Sequence, residues 1–170
     1  MSAKIVPSLP SIKAAIGHIP QRLKTAQFEA PRGRLEILRR MITQLVREER
    51  VEFKHNRAVE ARPYAERLIQ LSVHRGADDE YTNKMLDWWL MEPKLKNKMF
   101  DDIVPRLRST EEPYTYIIAL PKRRVMMYKD KRIERPQILR MAVLEINGHP
   151  FPSLKQLEES RLELLKEKCL

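Results

Sequence analysis

Across residues 35–50 the apolar side chains Leu35, Leu38, Ile42, Leu45 and Val46 recur at helical spacing, and then the period changes within a single step. Val51, Phe53 and His55 alternate with Glu52 and Lys54, the two-residue period of a half-buried strand. Residues 57–75 return to helical spacing through Ala61, Ala65, Leu68 and Leu71 or Ser72. A helix buries one stripe and a strand one face, so this helix, strand and helix require a layered fold to cover them together. The chain has 170 residues and 42% hydrophobic content, room for one compact domain with extensions but not for two large ones.

Local punctuation predicts the remaining elements. Asn56 is placed to cap the second helix and Gly76 to end it, while Pro63 requires the regular helix to begin near it or to kink there. Asp78 or Asp79 can cap a third helix containing Tyr81, Met85, Trp88 and Trp89. Pro93 suits the first position of a fourth, which continues through Leu95, Met99, Ile103 and Leu107. The double tryptophan reads as packing rather than a stacking platform, with Trp88 buried beside Met99, Ile103 and either Tyr81 or Met85. Residues 114–120 and 138–146 read as strands, and the basic run between them as a loop or hairpin-like excursion. Ser153 and Gln156 have the form of a capping box, and Leu154, Leu157, Leu164 and Leu165 predict a last helix of balanced charge that lies against a neighbouring protein or the domain itself. The expected fold is α+β, with helices packed on a small mixed sheet of about three strands. Residues 1–31 form an N-terminal extension in this reading, 32–148 the domain, and 149–170 a C-terminal helical extension.

Lys and Arg number 33 against 23 Asp and Glu, a net charge of +10, so a polyanion is the first partner to consider. The charge is segregated. Residues 32–75 hold eleven basic and six acidic side chains, residues 114–144 eight and two, and the intervening 76–113 six and nine. Two basic blocks around an acidic one predict one surface that meets phosphate and another that faces water or protein. In the first block Arg39, Arg40, Arg47 and Arg50 fall on the side of the first helix opposite its apolar stripe; Arg32 and Arg34 precede them, and Lys54, Arg57 and Arg62 follow. In the second, Lys122, Arg123, Arg124, Lys129, Lys131, Arg132 and Arg135 decorate the excursion. The guanidinium forks onto phosphate oxygens, and a basic loop on a rigid sheet suits a folded RNA backbone, so all of these are candidate RNA-binding residues.

Motifs for catalysis are missing. His18, His55, His74 and His149 fall in separate segments without metal-ligand spacing, and Gly17, Gly33, Gly76 and Gly148 stand alone rather than in a phosphate loop. The acid pairs Asp78/Asp79 and Asp101/Asp102 read as caps or solvated faces. No cofactor, metal or small-molecule substrate is expected, and binding is favoured over catalysis. The longest apolar runs, residues 116–120 and 141–144, fall far short of the roughly 20 residues that cross a bilayer. One cysteine, Cys169, predicts a reducing, intracellular setting. Residues 1–28 carry Lys4, Lys13, Arg22 and Lys24 with no acid, a composition that resembles a mitochondrial targeting segment interrupted by Pro7, Pro10 and Pro20.

The run LVREERVEFKHNRAVEARPYAERLI, residues 45–69, resembles the central helix, strand and second helix of the L17 family of large-subunit ribosomal proteins. KMFDDIVPRLRSTEEPYTY, residues 98–116, resembles that family's helix ending in a Pro-Arg pair and the turn that opens its next strand, and MAVLEI, residues 141–146, its closing strand. Residues 85–90 with their tryptophans are most similar to the mitochondrial branch. The pattern is broken at Glu48, where the family usually has histidine, and at Glu112, Pro113 and Tyr116. The resemblance implies a mixed α/β domain that binds large-subunit rRNA and neighbouring ribosomal proteins in mitochondrial translation, within the mitochondrial matrix. A free-standing nucleic-acid-binding regulator or RNA-processing enzyme would use the same basic surface, but needs a base-reading helix or a catalytic constellation.

Overall fold

A computed structural model describes residues 9–13, 30–111, 113–130, 133–152 and 154, with side chains for all of these except 30–32, 34, 126–130 and 133–135. The first helix, α1 (Ala30–Glu48), buries Leu38, Met41, Ile42, Leu45 and Val46 along one stripe. It ends abruptly at Glu49, whose φ of 63° is left-handed, a conformation that costs a residue with a Cβ. The turn redirects the chain into β1 (Arg50–Lys54), so Arg50 lies on the strand and not on the helical face with Arg39, Arg40 and Arg47. β1 leads directly into α2 (His55–Arg75). No side chain caps that helix: it starts one residue before Asn56, and the His55 amide is bonded to the Arg140 carbonyl at 3.0 Å.

α2 runs without interruption through Pro63, because Ala58, Ala61, Ala65, Leu68 and Ile69 are buried on both sides of it and packing overrides the local cost. Gly76, at φ 74°, closes it by donating to Ser72 O at 3.2 Å. Asp79 caps α3 (Glu80–Trp89), accepting from the Thr82 amide at 2.9 Å and its hydroxyl at 2.7 Å, and these bonds hold its carboxyl below the usual range. Pro93 occupies the cap position of α4 (Lys94–Lys98) rather than its first turn. A π-helical turn, Met99–Ile103, and α5 (Val104–Leu107) continue α4, with Leu95, Met99, Ile103 and Leu107 all turned into the core.

The expected tryptophan packing is half right. Leu86 is fully buried on α3, and Trp89 three residues on shares its face and packs against the core, but Trp88 is 44% exposed. Tyr81 is exposed too, at 51%, and Met85 is half-buried.

The sheet has three strands, β1, β2 (Thr115–Ala119) and β5 (Met141–Ile146), in the order β1-β5-β2, and both pairings are antiparallel where a mixed sheet was expected. In the register, Leu144 lies opposite both Val51 and Ile117. Ala142, Leu144 and Ile146 of the central strand join Ile42, Leu45, Leu68, Ile69, Leu86 and Met99 in the main core. The excursion between β2 and β5 is a hairpin of its own, β3 (Arg123–Asp130) paired with β4 (Ile133–Leu139), with an irregularity between Tyr128 and Asp130. The single strand expected over 138–146 is therefore two, divided at Arg140. The capping box at Ser153 and, apart from Leu154, the helix expected to follow it lie outside the described residues, as does the targeting segment apart from residues 9–13.

Candidate nucleic-acid interface

The helical rotation of 100° per residue separates the arginines of α1. Arg39 turns toward α3: its guanidinium donates to the Trp88 carbonyl at 2.6 Å, pairs with Glu36 at 3.0 Å and lies 4.9 Å from the centre of the Trp88 ring. Thr43, one turn on, follows the same seam, donating to Arg39 O and accepting from the Met91 amide. Arg47 pairs with Glu92 at 2.8 Å and more loosely with Glu48 at 3.4 Å. Arg40 points the other way, toward β1.

Two further candidates are held by the fold. Arg50 pairs with Glu145 at 2.9 Å, donates to Pro152 O at 2.8 Å, contacts His149 at 3.0 Å and sits over the Phe151 ring, so it fastens the chain that leaves β5. Arg62 donates to the Thr115 carbonyl at 2.8 Å and ties α2 to β2. Nearby, buried Glu66 accepts from the amides of Tyr114 at 3.1 Å and Thr115 at 2.7 Å, which completes that clamp.

What the fold does bring together is Arg40, Lys54 and Arg57. They rim a groove of about 400 Å³ between α1, β1 and the first turn of α2, whose remaining walls are Ile37, Met41, Gln44, Glu52, Phe53 and Met141. Among the described residues the side chains of Lys54 and Arg57 have neither an ion pair nor a hydrogen bond. The single carboxylate of the rim, Glu52, faces Arg123 at 3.6 Å. Lys54 and Arg57 also flank the start of α2, where the helix dipole adds positive potential. On the hairpin, Lys122 and Arg124 line a shallow recess with Pro136 and Ile138. The side chains of Arg32, Arg34, Lys129 and Arg135, and Lys131 and Arg132 entirely, lie outside the described residues.

The sequence reading passed over the apolar floor of the groove. Phe53 was legible as an inward strand position, but Met41 and Met141, which meet there, stand 100 residues apart in the chain. It also passed over Glu49, Lys98 and Arg106. Glu49 is 5% exposed, pairs with Lys98 at 2.9 Å and Arg106 at 2.8 Å, and its carbonyl accepts from Ile146 on β5. Burial alone would push its carboxyl up, but hydrogen bonds and charge from Lys98 and Arg106 outweigh that and hold it below the ordinary glutamate range. Among the described residues no cluster of His, Cys, Asp and Glu could hold a metal, and no helix is long and apolar enough to cross a membrane.

The model of the family described as Ribosomal protein L17 matches residues 37–135, more than half of the chain. The chain belongs to the ribosomal protein L17 family. The large ribosomal subunit protein bL17 of Caldanaerobacter subterraneus subsp. tengcongensis is 34% identical over 91 residues, 54% of this chain and 79% of that protein. Its counterpart in Ehrlichia canis is 33% identical over 86 residues, 50% of this chain and 65% of that protein. That of Treponema pallidum is 33% identical over 87 residues, which cover 51% of each. In this L17-family protein the matched stretch runs from α1 into β4 and contains Arg40, Lys54 and Arg57. The L17 family consists of structural components of the ribosome and not of enzymes, which excludes the RNA-processing alternative.

Proposed function

We propose that this L17-family protein is a structural constituent of the mitochondrial large ribosomal subunit. In this reading it binds rRNA through the Arg40, Lys54 and Arg57 rim and the basic hairpin, and presents the acidic α3 side to neighbouring ribosomal proteins. The observation that carries the reading is the convergence of three cations, two of them without partners among the described residues, on one groove inside the stretch that matches the family. On α3 and α4 the charges are matched internally, with Lys96 on Asp87 at 3.0 Å and Lys84 on Glu80 at 2.6 Å, so that side exerts little pull on phosphate. The acid-free composition of residues 1–28 supports the mitochondrial assignment.

Sedimentation of the native protein from fractionated cells tests both halves. The expected result is protease-protected recovery with mitochondria, and co-migration with a large ribonucleoprotein particle from which only high salt releases the protein. A small species whose migration ignores salt would favour a free-standing regulator, and recovery with cytosolic ribosomes would overturn the organelle assignment.

A further inference from the structure

We infer that the groove between α1, β1 and α2 receives one unstacked nucleotide of a single-stranded or bulged RNA segment. The base lies on the Phe53, Met41 and Met141 floor, and the adjoining phosphates meet Arg40, Lys54 and Arg57. This rests on the reading of the partner as RNA and assigns that partner's local form.

Contact with a duplex backbone needs no apolar floor, because A-form RNA presents phosphates, 2′-hydroxyls and base edges while the faces of its bases stay stacked inside. Here the cations stand over apolar side chains. Phe53 lies on the inward register of β1 opposite Ala142, yet it is only half-buried, as are Ile37 and Met141. The small cluster of Leu38, Met41 and Ala61, against which Phe53 and Ile37 pack, is thus open on the side that the cations surround. An aromatic ring beside a basic rim is the arrangement that holds a splayed base, since every base has an apolar face and carries its phosphates on either side. The volume, about 400 Å³, lies within the range of small-ligand pockets. Gln44 supplies an amide at the edge of the groove; its own contacts with Glu48 are long, at 3.4 Å, which leaves it able to turn toward a base edge. An apolar protein side chain would suit the floor but would leave Lys54 and Arg57 without a counter-charge, whereas a nucleotide satisfies both parts.

The test compares the full-length protein with Phe53→Leu, which keeps an apolar side chain against the core, and with Lys54→Gln/Arg57→Gln. Unchanged thermal melting of each variant establishes that it is folded. The probes are a single-stranded adenosine oligomer, the same oligomer with abasic sugars, and an RNA duplex of equal charge. Phe53→Leu should weaken binding of the adenosine oligomer by about tenfold and leave the abasic oligomer and the duplex within about twofold, because only stacking has been removed. Lys54→Gln/Arg57→Gln should weaken all three. If Phe53→Leu changes none of them while the double variant does, the groove is a phosphate contact alone and the nucleotide inference fails with the RNA reading intact. If no RNA probe binds in a salt-dependent way and an acidic phenylalanine-containing peptide does, both readings fail together. Ultraviolet crosslinking of the intact particle gives the matching readout: a crosslink between peptide 51–57 and an unpaired nucleotide supports the inference, and one to a paired nucleotide overturns it.

Discussion

Glu49 does at one position what a glycine would normally do between a helix and a strand. Its left-handed backbone turns α1 into β1, its amide donates to Leu45 O at 2.7 Å, and its carboxylate anchors Lys98 and Arg106 from two other segments. The strain of the positive φ is offset by those partners. Replacing Glu49 with Gln should lower the unfolding free energy by about 2 kcal/mol near neutral pH, as expected when a buried charge-assisted network loses its acceptor charge. The folded-state pKa is depressed, so the stabilisation is complete above the ordinary glutamate value of 4.5 and is lost as pH falls through the lower folded value. Urea unfolding across that acid range should therefore show the wild-type and Gln proteins converging; a gap that persists or widens in acid would refute the assignment.

Among the elements, the hairpin and the three-stranded sheet stand in different relations to the core. β2 is fastened to α2 by Glu66 and Arg62, so Glu66→Leu should leave the Tyr114 and Thr115 amides unsatisfied and cost about 3 kcal/mol, with faster hydrogen exchange along β2. The β3–β4 hairpin has no such tie: its exposed Arg123 to Glu52 pair is the one ion pair joining it to the sheet among the described residues, and exposed pairs of this kind contribute little. Leu120 and Met141, which bracket the excursion, are already bonded, amide to carbonyl, at 3.0 Å. Substituting a tight Asn-Gly turn for residues 121–139 should accordingly preserve the melting transition within a few degrees. It should also reduce RNA affinity, because the cations at Lys122 and Arg124 go with it; loss of cooperative unfolding would mean that the hairpin is part of the domain's packing.

For the molecule as a whole, net charge is a poor guide to which cations reach a polyanion, since the fold has already consumed several of them. Arg39 and Arg47 are engaged with α3 and Glu92, whereas Lys54 and Arg57 are not engaged among the described residues. The double substitution Lys54→Gln/Arg57→Gln should flatten the dependence of RNA affinity on salt by about two units of slope and shift stability by about 0.5 kcal/mol or less. Arg39→Gln/Arg47→Gln should do the reverse, costing about 1 kcal/mol of stability with a smaller change of slope. Parallel salt titrations and melts of the two variants decide between them, and equal slopes would dissolve the distinction.

Sequence alone was enough for whatever depends on neighbours a few residues apart. The 3.6-residue stripe of α1, the alternation of β1, the Gly76 cap, an aspartate cap at 78 or 79 and the strand composition around β2 and β5 are local properties, and they sufficed for an α+β fold around one small sheet. Tertiary structure decided what depends on pairs far apart in the chain. The antiparallel order β1-β5-β2, the exposure of Trp88 beside its buried-side neighbour Trp89, and the capture of Arg50 by Glu145 and His149 each join segments that no periodicity relates. The candidate interface divides along the same line. That basic residues cluster in the first block is visible in composition, but which of them remain available is set by where acids and carbonyls from α3, β2 and β5 come to rest, and that is a consequence of packing.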